Sequence, residues 1–133
     1  MDAARVIAEC FAVIAKGGSV ADLIARNEIS AGFRVVRPGE VAWLPIGDWE
    51  PGTCCSVTES GIARLVLLHA RESGKGAFAR LLVGIDDAGL IPHVIEPTRE
   101  FAAALKRNGW RERLVNTKDG RERVWKRHPL RND

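Results

Sequence analysis

Glycines cluster at one point of the chain, in the segment Gly74-Lys75-Gly76-Ala77, which follows an apolar run and precedes a stretch of helical periodicity. Glycine lets the backbone approach a ligand closely, and the free N–H groups and dipole of a helix N-terminus favour an anion. The segment fits a phosphate-binding loop, and it also fits a tight strand-to-helix connection. The P-loop and dinucleotide-binding motifs are excluded, because no Ser or Thr follows Lys75 and the third glycine of the dinucleotide fingerprint is absent.

Three side chains near this loop are candidates for proton transfer. His69 lies near the end of the apolar run, and the reference imidazole pKa of about 6.5 suits a general base near neutral pH. His93 and Glu96 belong to the next apolar segment, where a separation of three residues in extended chain points them to opposite faces. We therefore expect either one to line a cleft but not the two to act together. A purely structural role is the alternative for all three.

The three cysteines, Cys10, Cys54 and Cys55, show neither a disulfide framework nor a metal-ligand spacing. They fit small buried hydrophobic residues in a reducing compartment, and a reactive thiol at Cys54 or Cys55 is the alternative. No metal site is predicted. The adjacent carboxylates of Asp86 and Asp87 diverge on a helix, so they are assigned to its surface.

The chain has 133 residues, a net charge of +3, 46% apolar residues and 28% charged residues. These values are typical of one globular domain and exclude a multidomain assembly. Charged residues interrupt every apolar run well before the roughly 18 residues that a membrane span requires. Because the N-terminal segment also lacks the charge order of a secretory signal, we predict a cytoplasmic protein that does not cross a membrane.

Apolar periodicity and turn residues predict a mixed α/β fold in which residues 1–30 form two N-terminal helices and residues 32–127 form the core sheet. The central strand is expected in the nearly continuous apolar run Ile62 to Ala70, with both faces covered. Helices are predicted over 3–16, 20–27, 77–87 and 97–108. Strands are predicted over 33–37, 41–46, 62–70, 90–95, 110–115 and 121–126. Residues 54–58 fit either a short strand or a loop.

The glycine loop resembles the signature of the GNAT acyltransferase superfamily, Gln/Arg-x-x-Gly-x-Gly/Ala, which Arg71-Glu-Ser-Gly74-Lys-Gly76 matches literally. A second register, shifted by two residues, places Ser73 where the family carries its arginine. The downstream spacing from Thr98 to Gly109-Trp110 is also similar to that of the family. The resemblance covers roughly residues 32 to 127 and implies a mixed central sheet flanked by helices.

The resemblance implies that backbone amides of this loop hold the pyrophosphate of acetyl-CoA, with Arg71 and Lys75 adding positive charge near the phosphates. The cofactor-binding residues that it implies are Leu68, His69, Ala70, Arg71, Ser73, Gly74, Lys75, Gly76 and Ala77. In the family, coenzyme A enters a gap between two splayed strands, and an amine attacks the thioester directly. An acetyltransferase acting on an amine is therefore expected, with His69, His93 or Glu96 as its base.

One residue of the family's chemistry is absent. The chain contains no tyrosine, and Leu105 stands at the position where the family's helix usually supplies that general acid. A thiol with a reference pKa of about 8.5 is a tolerable leaving group without protonation, so turnover remains compatible with this loss. The alternative is a non-catalytic protein of the same fold.

The C-terminal part of the chain is basic, with ten Lys or Arg against three Asp or Glu between Lys106 and Arg131. With Trp110 and Trp125 interleaved, this hairpin is a candidate for binding a partner or nucleic acid. A solvated hairpin with both tryptophans in the core is the other interpretation. Because the edges of small sheets often pair with another copy, a homodimer is a further expectation.

Overall fold

A computed structural model describes residues 20–117 and 120–127, and the helix predicted over residues 3–16 and Cys10 lie outside them. The described chain is mixed α/β, as predicted, with three helices and one six-stranded sheet. The helices are α1 (Val20–Ser30), α2 (Ala77–Asp87) and α3 (Arg99–Arg107). The strands are β1 (Arg34–Val36), β2 (Cys54–Val57), β3 (Ile62–Leu67), β4 (Ile91–Ile95), β5 (Arg111–Thr117) and β6 (Gly120–Lys126).

The strand order is β1-β2-β3-β4-β6-β5, and β3 and β4 are its parallel pair. All other neighbours are antiparallel. The chain passes from β3 to β4 through α2, the crossover that a parallel pair requires. The prediction of a central strand is confirmed, because β3 lies between β2 and β4 and has three buried residues, Ala63, Arg64 and Leu65.

The apolar core contains residues from β3 and β4 together with α2 and α3. Leu65 and Val94 face this core from the two parallel strands, and Leu81, Ile85 and Leu105 face it from the helices. Trp110 and Trp125 also belong to it, so the prediction that both tryptophans of the C-terminal hairpin pack into the core is confirmed.

The opposite face of β3 carries a buried charged cluster. Arg64 donates to Glu28 on α1 (Nε–Oε1 2.9 Å) and to Glu122 on β6 (Nη1–Oε1 3.0 Å), and Ser56 on β2 donates to Glu28 (2.7 Å). Burial alone would lower the pKa of Arg64. The hydrogen bonds from its guanidinium to Glu122 and Glu28 outweigh that effect and raise the pKa. The cluster therefore ties α1, the sheet centre and β6 together.

The predicted strand over 41–46 was wrong. β1 pairs with β2 instead, with Val36 opposite Cys55, and residues 41–46 form turns. The physical reason is tertiary packing: Trp43 and Leu44 are both buried, which the alternating pattern of a half-buried strand does not allow. Trp43 packs so closely on α2 that a Cβ at Gly84 would lie 2.9 Å from its Cβ.

The remaining elements match their predicted positions within a few residues. The stretch left undecided at 54–58 is strand β2, whereas β3 ends at Leu67 rather than at Ala70. Thr98 caps α3 by accepting a hydrogen bond from the N–H of Phe101 at 3.2 Å. Among the described residues, no helix has both the length and the apolar character that crossing a membrane requires.

Candidate functional site

The glycine loop lies between the end of β3 and the first turn of α2. Gly74 and Gly76 adopt φ angles of 74° and 80°, in the left-handed region that glycine enters without strain. Gly76 is the N-cap residue of α2 and provides no side-chain cap. Because the first N–H groups of a helix have no intrahelical partner, the amides that follow Gly76 are available to an anion.

A second segment, residues 46–50, lies alongside the start of the loop. Trp49 forms an isolated antiparallel bridge with Ala70. The N–H of Glu50 donates to the carbonyl of His69 (2.7 Å), and the N–H of Arg71 donates to the carbonyl of Asp48 (2.9 Å). Residues 69–71 therefore extend the chain beyond β3 and pair with residues 48–50 in a short antiparallel bridge.

Two arginines fix the glycine loop against this segment. Arg71 donates through Nε to the carbonyl of Ile46 (2.5 Å) and pairs with Glu50 (3.4 Å). Arg80, on the first turn of α2, makes two bonds to Asp48 (2.9 and 3.1 Å) and one to the carbonyl of Lys75 (2.7 Å). The hydrogen bond from Arg80 lowers the pKa of the Asp48 carboxyl, so the pair is fully ionised at neutral pH.

A shallow pocket opens at this point, with a volume of about 230 Å³ that includes its open mouth. The residues that line it are Gly47, Asp48, Glu72, Lys75, Ala77 and Arg80. Arg80 is paired with Asp48, and Lys75 and Glu72 carry opposite charges. Side-chain charge is nearly balanced, so an anion here would depend mainly on the backbone N–H groups and on the dipole of α2.

The loop stands at the carboxyl ends of the parallel strands, where the ladder between them ends. Leu65 opposite Val94 is the last pair, although β3 continues to Leu67 and β4 to Ile95. Beyond this point β3 pairs with β2 and β4 pairs with β6. The parallel ladder thus ends one residue before β4 does, at the end of the sheet where the glycine loop begins.

His69 projects from this end of the sheet. Its side chain is exposed, while its backbone is held by Thr53: the N–H of His69 donates to the Thr53 hydroxyl at 3.1 Å. Leu68 and Ala70, on either side of it, are partly buried against the core. The arrangement gives an accessible imidazole on a fixed backbone beyond the carboxyl end of β3.

His93 has a different environment, in the middle of β4 between Arg64 on β3 and Lys126 on β6. Its side chain is only 7% exposed, and Nε2 has no hydrogen-bond partner. Burial, reinforced by the charges of Lys126 and Arg64, lowers the pKa of His93 to about 4. The imidazole is therefore neutral at pH 7 and enclosed within the sheet face that carries Arg64.

Glu96 follows β4 and is the described non-glycine residue with a positive φ, at 46°. Two hydrogen bonds hold it in this conformation: its N–H donates to the carbonyl of Arg123 (2.9 Å), and its Oε1 accepts from the N–H of Arg123 (2.7 Å). The Glu96 carboxylate thus accepts the hydrogen bond of the Arg123 N–H at the point where the pairing of β4 with β6 ends. This backbone role leaves His69 as the better-placed proton acceptor of the three candidates.

The predicted cofactor-binding residues follow one another in sequence from the end of β3 to the first residue of α2, whereas the candidate bases occupy three separate environments. Sequence reasoning missed Asp48 and Arg80. Their pairing joins two segments 32 residues apart, and neither residue belongs to a motif. The one available signal was the position of Arg80, one helical turn after Gly76.

The described cysteines do not supply a nucleophile. Cys54 and Cys55 are free and buried on β2, and burial raises the pKa of both thiols. Among residues 20–117 and 120–127, no group of three or more His, Cys, Asp or Glu side chains is placed to hold a metal ion.

Comparisons with known proteins leave the chain without an assigned relative. No protein-family model matches the sequence, and neither the curated proteins nor the solved structures include a match.

Proposed function

We propose that this chain is an N-acetyltransferase of the GNAT type, which binds acetyl-CoA at the glycine loop and transfers the acetyl group to an amine. The observation that carries the proposal is the uncapped N-terminus of α2 behind Gly74 and Gly76, at the carboxyl end of the parallel pair. Backbone N–H groups presented in this way suit a pyrophosphate. Free, buried thiols at Cys54 and Cys55 support a cytoplasmic location within the same proposal.

The sheet supports this proposal independently of the loop. The resemblance implies two neighbouring strands that splay apart, with a helix between them in the chain and a final pair of strands. β3 and β4 are a parallel pair joined by α2, their ladder ends at Leu65 and Val94, and the β5–β6 hairpin completes the sheet. The pantetheine arm of the cofactor would enter between the ends of β3 and β4.

Four groups of the loop region are assigned a task in this reaction. The N–H groups after Gly76 and the Lys75 ammonium would hold the phosphates, and the Arg80–Asp48 pair would keep the loop in place. The amine nitrogen attacks the thioester carbonyl carbon, the C–S bond breaks, and the thiolate of coenzyme A leaves. His69 is assigned as the group that accepts the amine proton, because it is exposed at this end of the sheet.

The binding step is tested by thermal unfolding with and without coenzyme A and acetyl-CoA. Ligand at 100 times its dissociation constant adds about 2.7 kcal/mol to the free energy of unfolding, roughly a 10 °C rise for a domain of this size. Gly74→Asp places a carboxylate in the loop and should abolish the shift. Gly89→Asp is a matched control, because both glycines have φ of 74° and no atom lies within 4 Å of the added Cβ.

Turnover is measured separately, as release of the coenzyme A thiol from acetyl-CoA in the presence of a panel of amines. His69→Ala should lower this release without changing the thermal shift. A shift in the wild type that Gly74→Asp retains would contradict the assignment of the loop. Binding with no thiol release for any amine would identify a non-catalytic protein of the same fold.

A further inference from the structure

β5 is the outermost strand of the sheet formed by the described residues, with β6 as its neighbour. All seven of its residues, Arg111 to Thr117, are exposed, so neither face of the strand is covered. Two of them are aliphatic: Leu114 is 56% exposed and Val115 is 40% exposed. An uncovered edge strand of this length is a ready template for pairing with another extended chain.

The direction of the β5 backbone groups follows from the contacts of β6. Leu114 lies opposite Arg123, and both the N–H and the carbonyl of Arg123 are bonded to Glu96, on the side away from β5. Opposed residues of an antiparallel pair either exchange both bonds or none. Leu114 therefore directs its N–H and carbonyl away from β6, to the outer edge of the sheet. Because this direction alternates along a strand, Glu112 and Asn116 direct their backbone groups to the same edge.

The two faces of β5 differ in chemistry. Arg111 and Arg113 lie on the face of Lys126 and Val124, which are their partners on β6. Leu114 lies on the opposite face together with Glu112 and Asn116, and Val115 shares the face of the two arginines. We propose that this edge binds an extended peptide in which acidic and apolar residues alternate. Its carboxylates would face Arg111 and Arg113, its apolar side chains would face Leu114, and its backbone would pair with Glu112, Leu114 and Asn116.

Two other occupants fit the edge less well. Self-pairing of two copies about Leu114 would place Arg113 of one copy diagonal to Arg113 of the other, about 7–8 Å away, and like charges on one face disfavour it. Sites for single-stranded nucleic acid typically add exposed aromatic side chains, on which bases stack, to their positive charge. Trp110 and Trp125, the aromatic residues nearest β5 in sequence, are each only 6% exposed.

The test is fluorescence anisotropy with a labelled peptide of sequence Glu-Val-Glu-Val-Glu-Val-Glu, titrated with the full chain at low and high salt. A Lys-Val peptide of the same pattern and a Glu-Val peptide with proline at the central position are the probe controls. The double variant Arg111→Glu/Arg113→Glu should weaken binding at least tenfold. Arg34→Glu, an exposed arginine on the opposite edge strand β1, should leave it unchanged.

The expected result is binding of the acidic peptide alone, weakened by salt and lost in the double variant. Equal binding of the Lys-Val peptide, retention in the double variant, or no binding at millimolar peptide would overturn the proposal. Tighter binding of a labelled oligonucleotide would also overturn it, in favour of nucleic acid. Dimerisation abolished by the double variant would overturn it in favour of a second copy. None of these outcomes depends on acetyl-CoA.

Discussion

The buried imidazole of His93 makes a quantitative prediction about stability and pH. Its folded-state pKa of about 4 lies below the reference value of 6.5, because its neutral form is enclosed beside Arg64 and Lys126. As the pH falls through 6.5, the unfolded chain takes up a proton at this position and the folded chain does not. The contribution of His93 to stability is therefore complete above pH 6.5 and is lost as the pH falls towards 4.

The size of the effect follows from the two pKa values. At 1.36 kcal/mol per pKa unit, the proton linkage of His93 costs about 2 kcal/mol at pH 5 relative to pH 7.5 and about 3 kcal/mol at pH 4. His93→Leu removes this linkage and also removes the buried Nε2 that lacks a partner. The variant should be at least as stable as the wild type at pH 7.5, because an unsatisfied buried polar atom is itself costly.

Urea unfolding of both proteins at pH 7.5 and pH 5.0 measures this difference. Other titrating groups contribute equally to the wild type and to the variant, so the comparison isolates position 93. The wild type should lose about 2 kcal/mol more than His93→Leu between the two pH values. An equal loss in both proteins would show that the imidazole is protonated readily in the folded state, and the enclosed environment described for it would be refuted.

Three further predictions concern the contacts that hold the site in place. Arg64→Met should cost about 3–5 kcal/mol in urea unfolding, because it leaves the carboxylates of Glu28 and Glu122 buried without their cationic partner, whereas Arg37→Met at the exposed pair with Asp22 should cost under about 1 kcal/mol. Gly84→Ala should cost about 1–3 kcal/mol by overpacking Trp43, and Gly47→Ala, with open space around it, should be neutral; equal values would contradict the packing of residues 41–46 on α2. Glu96→Ala should cost about 1 kcal/mol and expose the Arg123 amide to hydrogen exchange, and Glu96→Gln should restore most of the protection because an amide oxygen can replace Oε1. Loss of protection in Glu96→Gln would count against the backbone role.

Local patterns predicted those parts of the fold that depend on local physics. The helical periodicity after the glycine loop predicted α2, and the helix predicted over 97–108 corresponds to α3. The apolar run from Ile62 identified β3 as a central strand. It gave no indication that Arg64 within it is buried, because the carboxylates that pair with Arg64 are far away in the sequence.

The errors arise where tertiary contacts override local preference. Val41 to Ile46 has the composition of a strand, but Trp43 packs against Gly84 of α2 and Leu44 is buried next to it in the same turns. Asp48 could not be assigned to the glycine loop, because its partner Arg80 lies on another element. Likewise, nothing in the sequence distinguishes an enclosed His93 from an exposed His69, because the difference depends on the neighbouring strands.

The central claim is that backbone amides of the glycine loop bind the pyrophosphate of coenzyme A. Amide chemical shifts, recorded by NMR during titration with coenzyme A, test it most directly. Addition of the ligand should move the resonances of Gly74, Gly76 and Ala77 and leave those of Gly61 and Gly89 in place. Shifts confined to other parts of the chain, or no shifts at millimolar coenzyme A, would contradict the account.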